Sequence, residues 1–167
     1  MRTRNWNLDK DYDTLVHWWT QWEFGIVPKE CLPPDGIIVE DDNGVPICGG
    51  GLYIGVGTKL AFMEWIIIED LAFNKQKEGN KGIDPRTAHK ALNLCIDSIM
   101  KLAESKGMKL VYTATREKGL HKRYTKYHKM TLTESDVKTF LRDFTGNYSK
   151  NLDWISDAEQ IRKQRKH

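Results

Sequence analysis

The sequence predicts a mixed α/β domain in which helices cover both faces of a mostly antiparallel sheet of six or seven strands. Three observations predict it. Apolar side chains recur at helical spacing through residues 9–22. Residues 37–70 hold three apolar runs separated by turn signals, the pattern of an antiparallel meander. A capped, strongly amphipathic segment over 84–107 lies between two apolar runs, which makes a right-handed crossover joining parallel neighbours.

With 167 residues, 40% apolar and 29% charged, the chain is sized for one globular domain with a real core. No repeat, low-complexity run or Pro/Ser linker divides it, so the expected division is a domain over 1–145 and a basic tail over 146–167. The longest apolar run falls far short of the roughly 20 residues of a membrane span, and Met1-Arg2-Thr3-Arg4 leads into no apolar signal region. Three cysteines at wide spacing disfavour a disulfide framework or a zinc site. A soluble, cytoplasmic protein that meets no membrane is the expectation. Charge is divided unevenly: residues 1–70 carry 5 Lys and Arg against 12 Asp and Glu, while residues 71–167 carry 21 against 11. An acidic half suits a cationic partner and a basic half a polyanion, although two unrelated solvated surfaces give the same division.

Element by element, residues 2–6 form a short first strand and Asp9 caps a helix running to about residue 22. On that helix Tyr12, Leu15, Val16, Trp19 and Trp22 make the buried face, with His17 and Trp18 off it. Gly25, Pro28, Pro33, Pro34 and Gly36 punctuate the following loop. Strands over 37–40 and 45–54 flank the hairpin signal Asp42-Asn43-Gly44, and a turn over 55–59 leads into 60–70, the most apolar segment. A polar, Lys-rich loop ends at Asp84 and Pro85, an N-cap followed by an N1 proline. The helix they open buries Ala88, Ala91, Leu92, Cys95, Ile96, Ile99, Leu102 and Ala103, and Gly107 closes it. A strand over 109–115, a basic helix over 117–127, strands over 129–133 and 137–144 and a short tail helix near 156–165 complete the reading.

This order of elements resembles the GNAT superfamily of acyl-CoA-dependent N-acetyltransferases. The run from Leu60 to Ile68 looks like the fourth strand of that family, and Arg123-Tyr124-Thr125-Lys126-Tyr127-His128-Lys129 is similar to its Leu-Tyr-x-Lys-x-Gly-Phe signature. The likeness spans about residues 2–144, and small GNAT-like proteins of tailed phages come closest. It implies that the fourth and fifth strands are parallel and splay apart. It implies acetyl-CoA as co-substrate, its pantetheine arm pairing with main-chain groups of Ile66, Ile67 and Ile68.

Acetyl transfer to an amine needs a deprotonated nucleophile, a polarised thioester carbonyl and a proton for the leaving thiolate. Glu64 is the candidate base, because a lone carboxylate in an apolar strand has a raised pKa; the alternative is a carboxylate facing solvent or paired with a cation. By the resemblance Tyr124 is the candidate acid, with Tyr127 as its alternative one turn on. His128 and Lys129 stand where the signature has Gly and Phe, so the turn after the helix is expected to differ. The resemblance also implies that the cofactor pyrophosphate meets main-chain N–H groups at the start of the crossover helix, in a glycine-containing loop. Here Asp84, Thr87 and His89 stand at the loop's Arg and Gly positions, and Pro85 has no N–H. Lys81, Gly82, Arg86, Thr87, Lys90 and Lys122 are the residues expected to hold the phosphates instead.

The amine acceptor, a small molecule or a protein lysine or N-terminus, is expected beside the first helix. There Trp18, Trp22, Glu23 and Phe24 offer carboxylate pairing and cation–π contact. The competing reading is a non-catalytic relative of the fold that binds a host protein or nucleic acid, for which the basic residues of 116–129 are suited. Monomer and homodimer both stay open. Gly49-Gly50-Gly51 lacks the spacing and following helix of a nucleotide loop and reads as a bulge or hairpin. Five scattered histidines predict no metal site, and Cys95 lies on a core stripe.

Overall fold

The computed structural model describes residues 1–21, 26–69, 83–115, 118–133 and 139–144. The first strand, β1 (Arg2–Asn5), precedes helix α1 (Leu8–Gln21), and a short 3₁₀ turn (Lys29–Cys31) leads to β2 (Asp35–Glu40), β3 (Pro46–Ile54) and β4 (Leu60–Ile68). Helix α2 (Pro85–Ser105) crosses to β5 (Leu110–Ala114). Helix α3 (Lys118–Lys122) runs into a π-helical turn (Arg123–Tyr127), and β6 (Thr131–Thr133) and β7 (Thr139–Asp143) follow. The described strands form one seven-stranded sheet in the order β1-β2-β3-β4-β5-β7-β6, whose one parallel pair is β4 with β5.

The entry to α1 differs from the sequence reading. Asn7, not Asp9, caps it: the Asn7 side chain accepts the Asp9 N–H at 2.9 Å, and Asp11 reaches back to accept the Asn7 N–H at 2.6 Å. Asp11 is only 4% exposed and receives both Arg4 Nη atoms at 2.7 and 2.8 Å, while Arg4 Nε donates to Glu40 at 2.7 Å. One guanidinium thus ties β1, α1 and β2 together. The buried residues of α1 are Asp11, Leu15 and Trp18, so the inward stripe takes in Asp11 and Trp18 beside the expected Leu15, while Tyr12 and Trp19 of the expected face are half-buried against the same layer.

The two faces of the sheet are separated by alternation along β3. A Cβ on Gly49 would meet Leu15 and Trp18 of α1, whereas one on Gly50 would meet Ile99 and Cys95 of α2. A Cβ on Gly51 would meet Pro33 and Trp6. The three glycines are therefore close-approach positions that let both layers reach the sheet. Ile96, Ile99, Cys95 and Ala91 of α2 pack on Met63, Ile68 and Val111, and Trp6, Leu15 and Trp18 pack on Ile38 and Ile67.

The predicted boundaries of α2 hold. Asp84 Oδ1 accepts the N–H groups of Arg86 at 2.9 Å and Thr87 at 3.2 Å, Pro85 sits at N1, and Gly107 leaves the helix at φ +75°. Asp84→Ala is expected to cost about 1 kcal/mol and to lower Tm by roughly 2–4 °C, measured by thermal denaturation.

Candidate functional site

The parallel pair at the centre of the sheet is short. Leu60, Ala61 and Phe62 pair with Leu110, Val111 and Tyr112, and among the described residues no β4–β5 pairing continues beyond them, although β4 runs on to Ile68 and β5 to Ala114. On its other edge β4 stays paired with β3 as far as Ile68. The two central strands therefore part after three rungs, and the Phe62 and Tyr112 rings, 5.2 Å apart, stand at the last rung. A wedge opens between Met63–Ile68 and the end of β5.

Within the wedge β4 carries a bulge. Gly51 pairs with Glu64 and Gly49 with Ile67, so β4 spends one more residue than β3 between these rungs. Trp65 supplies the kink with φ +59°, a left-handed conformation unusual for a bulky residue and costly by about 1–2 kcal/mol. Its indole packs on Trp19 with ring centroids 4.3 Å apart and lies beside the Tyr53 hydroxyl. Tyr53 in turn donates to the Cys31 carbonyl at 2.5 Å. The extra residue inverts the alternation, so that Ile66 packs against the α2 layer, as Ile68 does.

Glu69 N–H donates to Ile47 O, which makes Gly49 with Ile67 the next hydrogen-bonded rung. The main-chain groups of Ile67 are thus turned toward β3, and those of Ile66 toward the wedge. This corrects the expectation for Ile67: of the three, it does not present its backbone to an inserted arm.

Glu64 lies two residues beyond the last paired rung and is half-buried. Among the described residues no hydrogen bond or ion pair is formed by its carboxylate, and burial lifts it above the ordinary carboxyl range. Tyr124 lies on the π-helical turn, 1% exposed, and is influenced by Thr113, the first β5 residue past the paired rungs. Burial pushes the phenol up to about 12 against the opposing effect of Thr113. The π turn that places it closes with His128 N–H on Arg123 O at 3.3 Å. Beyond it Lys129 takes the left-handed conformation, with φ +52°.

The other expected residues divide. Arg86, Lys90 and Lys122 are exposed and Thr87 is half-buried, all near the start of α2 or on α3. Lys81, Gly82, Trp22, Glu23 and Phe24 lie outside the described residues. Trp18 is corrected: at 2% exposure it is part of the layer between α1 and the sheet and presents no surface to an acceptor. Tyr53 and Trp65 were missed, since a positive-φ tryptophan leaves no mark in hydropathy or periodicity.

The expected wedge is present, and so is the fold around it: the described residues form the fold of the GNAT acetyltransferases. Among solved structures, an aminoglycoside 6'-acetyltransferase of type Ii matches with a TM-score of 0.63 and 12% identity, over 86% of this chain and 97% of that one. A Mycobacterium tuberculosis protein crystallised with CoA matches with a TM-score of 0.62 and 12% identity, over 86% and 99%. A GNAT-family acetyltransferase from Staphylococcus aureus matches at 0.59 and 9%, over 85% and 98%. No protein-family profile and no curated protein sequence matches the chain. At these identities the likeness establishes the fold. No described helix is long and apolar enough to cross a membrane.

Proposed function

We propose that the protein is an N-acetyltransferase that moves an acetyl group from acetyl-CoA to a primary amine. The observation that carries this reading is the parting of β4 from β5 after three rungs, with the lone half-buried carboxylate of Glu64 beside the opening. The wedge fits a thin, extended arm, because Ile66 turns main-chain groups into it. When bound, acetyl-CoA supplies an activated thioester carbonyl.

The chain's own groups then have separate duties. Glu64, ionised above its raised pKa, takes the proton of the attacking amine as the new C–N bond forms. The β4 main-chain N–H groups at the Trp65 kink polarise the carbonyl. Tyr124, still protonated up to about pH 12, gives its proton to sulfur as the C–S bond breaks. Tyr124→Phe is expected to lower kcat at least tenfold while acetyl-CoA affinity stays unchanged, read from thiol release and calorimetry.

Calorimetry with acetyl-CoA, followed by thiol-release assays on a panel of amines, tests the whole reading. Micromolar binding with amine-dependent thiol release is the expected result; no binding removes the enzyme. One observation favours the second reading, a binder of a host protein or nucleic acid that has lost catalysis. The N–H groups of Arg86 and Thr87, at the end of α2 where an anion would dock, are already taken by Asp84. Salt-dependent DNA affinity without acetyl-CoA binding would select that reading.

A further inference from the structure

The first turn of α2 does not fit a pyrophosphate. Asp84 holds two of its N–H groups, Pro85 has none, and the Asp84 carboxylate repels an anion at that end. A cation of a different kind stands about one turn further along the helix. Arg123, at the start of the π-helical turn, is half-buried and reaches α2 through neutral acceptors: Nη1 donates to His89 O at 3.2 Å and Asn93 Oδ1 at 2.5 Å, and Nη2 meets His89 Nδ1 at 3.1 Å. Among the described residues no carboxylate forms an ion pair with it. Burial disfavours its charge, and it lies near Cys48, the rung partner of Ile68 at the far end of β4.

A half-buried guanidinium held only by neutral groups is an incomplete arrangement, because desolvation of the charge is not offset by an opposite one. His89 and Asn93 fix the fork, and the Nε–H and one Nη2 hydrogen are not used by these contacts, so donors remain for an oxyanion. His128, bonded to Asp97 at 2.9 Å and Asn93 at 3.3 Å, braces the same stretch of the π turn against α2. Arg86 and Lys90 on α2, and Lys122 just before Arg123 in the chain, are exposed cations.

Building on the acetyltransferase reading, we infer that Arg123 is the phosphate-binding residue of this chain. In this assignment a buried side-chain fork takes the phosphate end of the acyl-CoA, which helix N-termini bind through main-chain N–H groups in folds with an open glycine loop. The residue after it, Tyr124, then reaches the thioester end, so that one π-helical turn addresses both ends of the same ligand.

Calorimetry on the full chain with acetyl-CoA, with acetyl-dephospho-CoA and with acetyl-pantetheine tests this. Arg123→Met is expected to weaken acetyl-CoA at least tenfold and to leave acetyl-pantetheine, which has no diphosphate, unchanged. Arg123→Lys restores part of the loss. Asp84→Ala does not weaken acetyl-CoA, since its N–H groups are not the site. If dephosphorylation at the 3' position removes the effect of Arg123→Met, the group held is the 3'-phosphate; if the effect persists, it is the diphosphate, and either result supports the assignment. Wild-type affinity for acetyl-CoA in Arg123→Met overturns it. An equal loss for acetyl-pantetheine also overturns it, by showing that Arg123 only supports the wedge. Failure of the wild-type chain to bind any of the three removes the acetyltransferase reading and this assignment with it.

Discussion

Replacing Glu64 by Gln is expected to cut turnover at least tenfold at neutral pH and, at the same pH, to raise the melting temperature. The loss follows from the role of a general base, whose removal costs roughly 10²–10⁴ in rate. The gain follows from linkage. Burial raises the folded-state pKa of Glu64 above its unfolded value, so its contribution to stability is fully present below the unfolded pKa and is lost as pH rises through the folded one. At pH 7 the charged carboxylate therefore weakens the fold, and a neutral amide of the same shape does not. The two proteins should melt together below about pH 4, where both side chains are uncharged. In the wild type, kcat/KM should rise with pH through an apparent pKa above the ordinary carboxyl range. Tyr124 adds no falling limb before about pH 12. Full activity in Glu64→Gln, or a drop in its melting temperature at pH 7, would remove Glu64 from the mechanism or from its half-buried setting.

The second large effect is expected at Gly50. A Cβ there would lie 2.5 Å from Ile66 Cδ1, 2.6 Å from Ile99 Cδ1 and 3.1 Å from Cys95 Sγ. Ile99 and Cys95 are both 0% exposed, so neither has space to retreat into. Gly50→Val, which adds two further methyl groups, should destabilise the protein by about 3 kcal/mol and lower Tm by roughly 6–12 °C. Gly119→Ala is the control, with nothing within 4 Å of its Cβ and a place in α3. It should be neutral or slightly stabilising. A Gly50→Val variant as stable as wild type would show that α2 stands farther from β3 than described.

Much of this was legible because it depends on local chemistry. Asp84-Pro85 and Gly107 marked the ends of α2, and the turn at Asp42-Asn43-Gly44 set the β2–β3 hairpin, where Asp41 accepts the Asn43 and Val45 N–H groups and Gly44 takes φ +84°. The lone acid of an apolar strand was visible too, since its raised pKa needs only burial. What failed depended on partners distant in sequence. Trp18 was placed outside because the inward stripe of α1 includes Asp11, and nothing in residues 8–21 reveals that Arg4 neutralises it. Ile67 was assigned to the wedge because a run of three isoleucines does not show where a bulge resets the ladder. Arg123 stands at an apolar position of the signature motif, a departure visible in the sequence, whereas its bonds to His89 and Asn93 of α2 were not.

The short β4–β5 contact has a mechanical consequence. Among the described residues the sheet is two leaves, β1 to β4 and β5 with β7 and β6, bound along a spine of three residue pairs and bridged by α2. Leaves so joined can change their dihedral opening without breaking a ladder elsewhere, and whatever lies in the gutter between them fixes that angle. Occupancy should thus stiffen the molecule across its middle rather than at its edges.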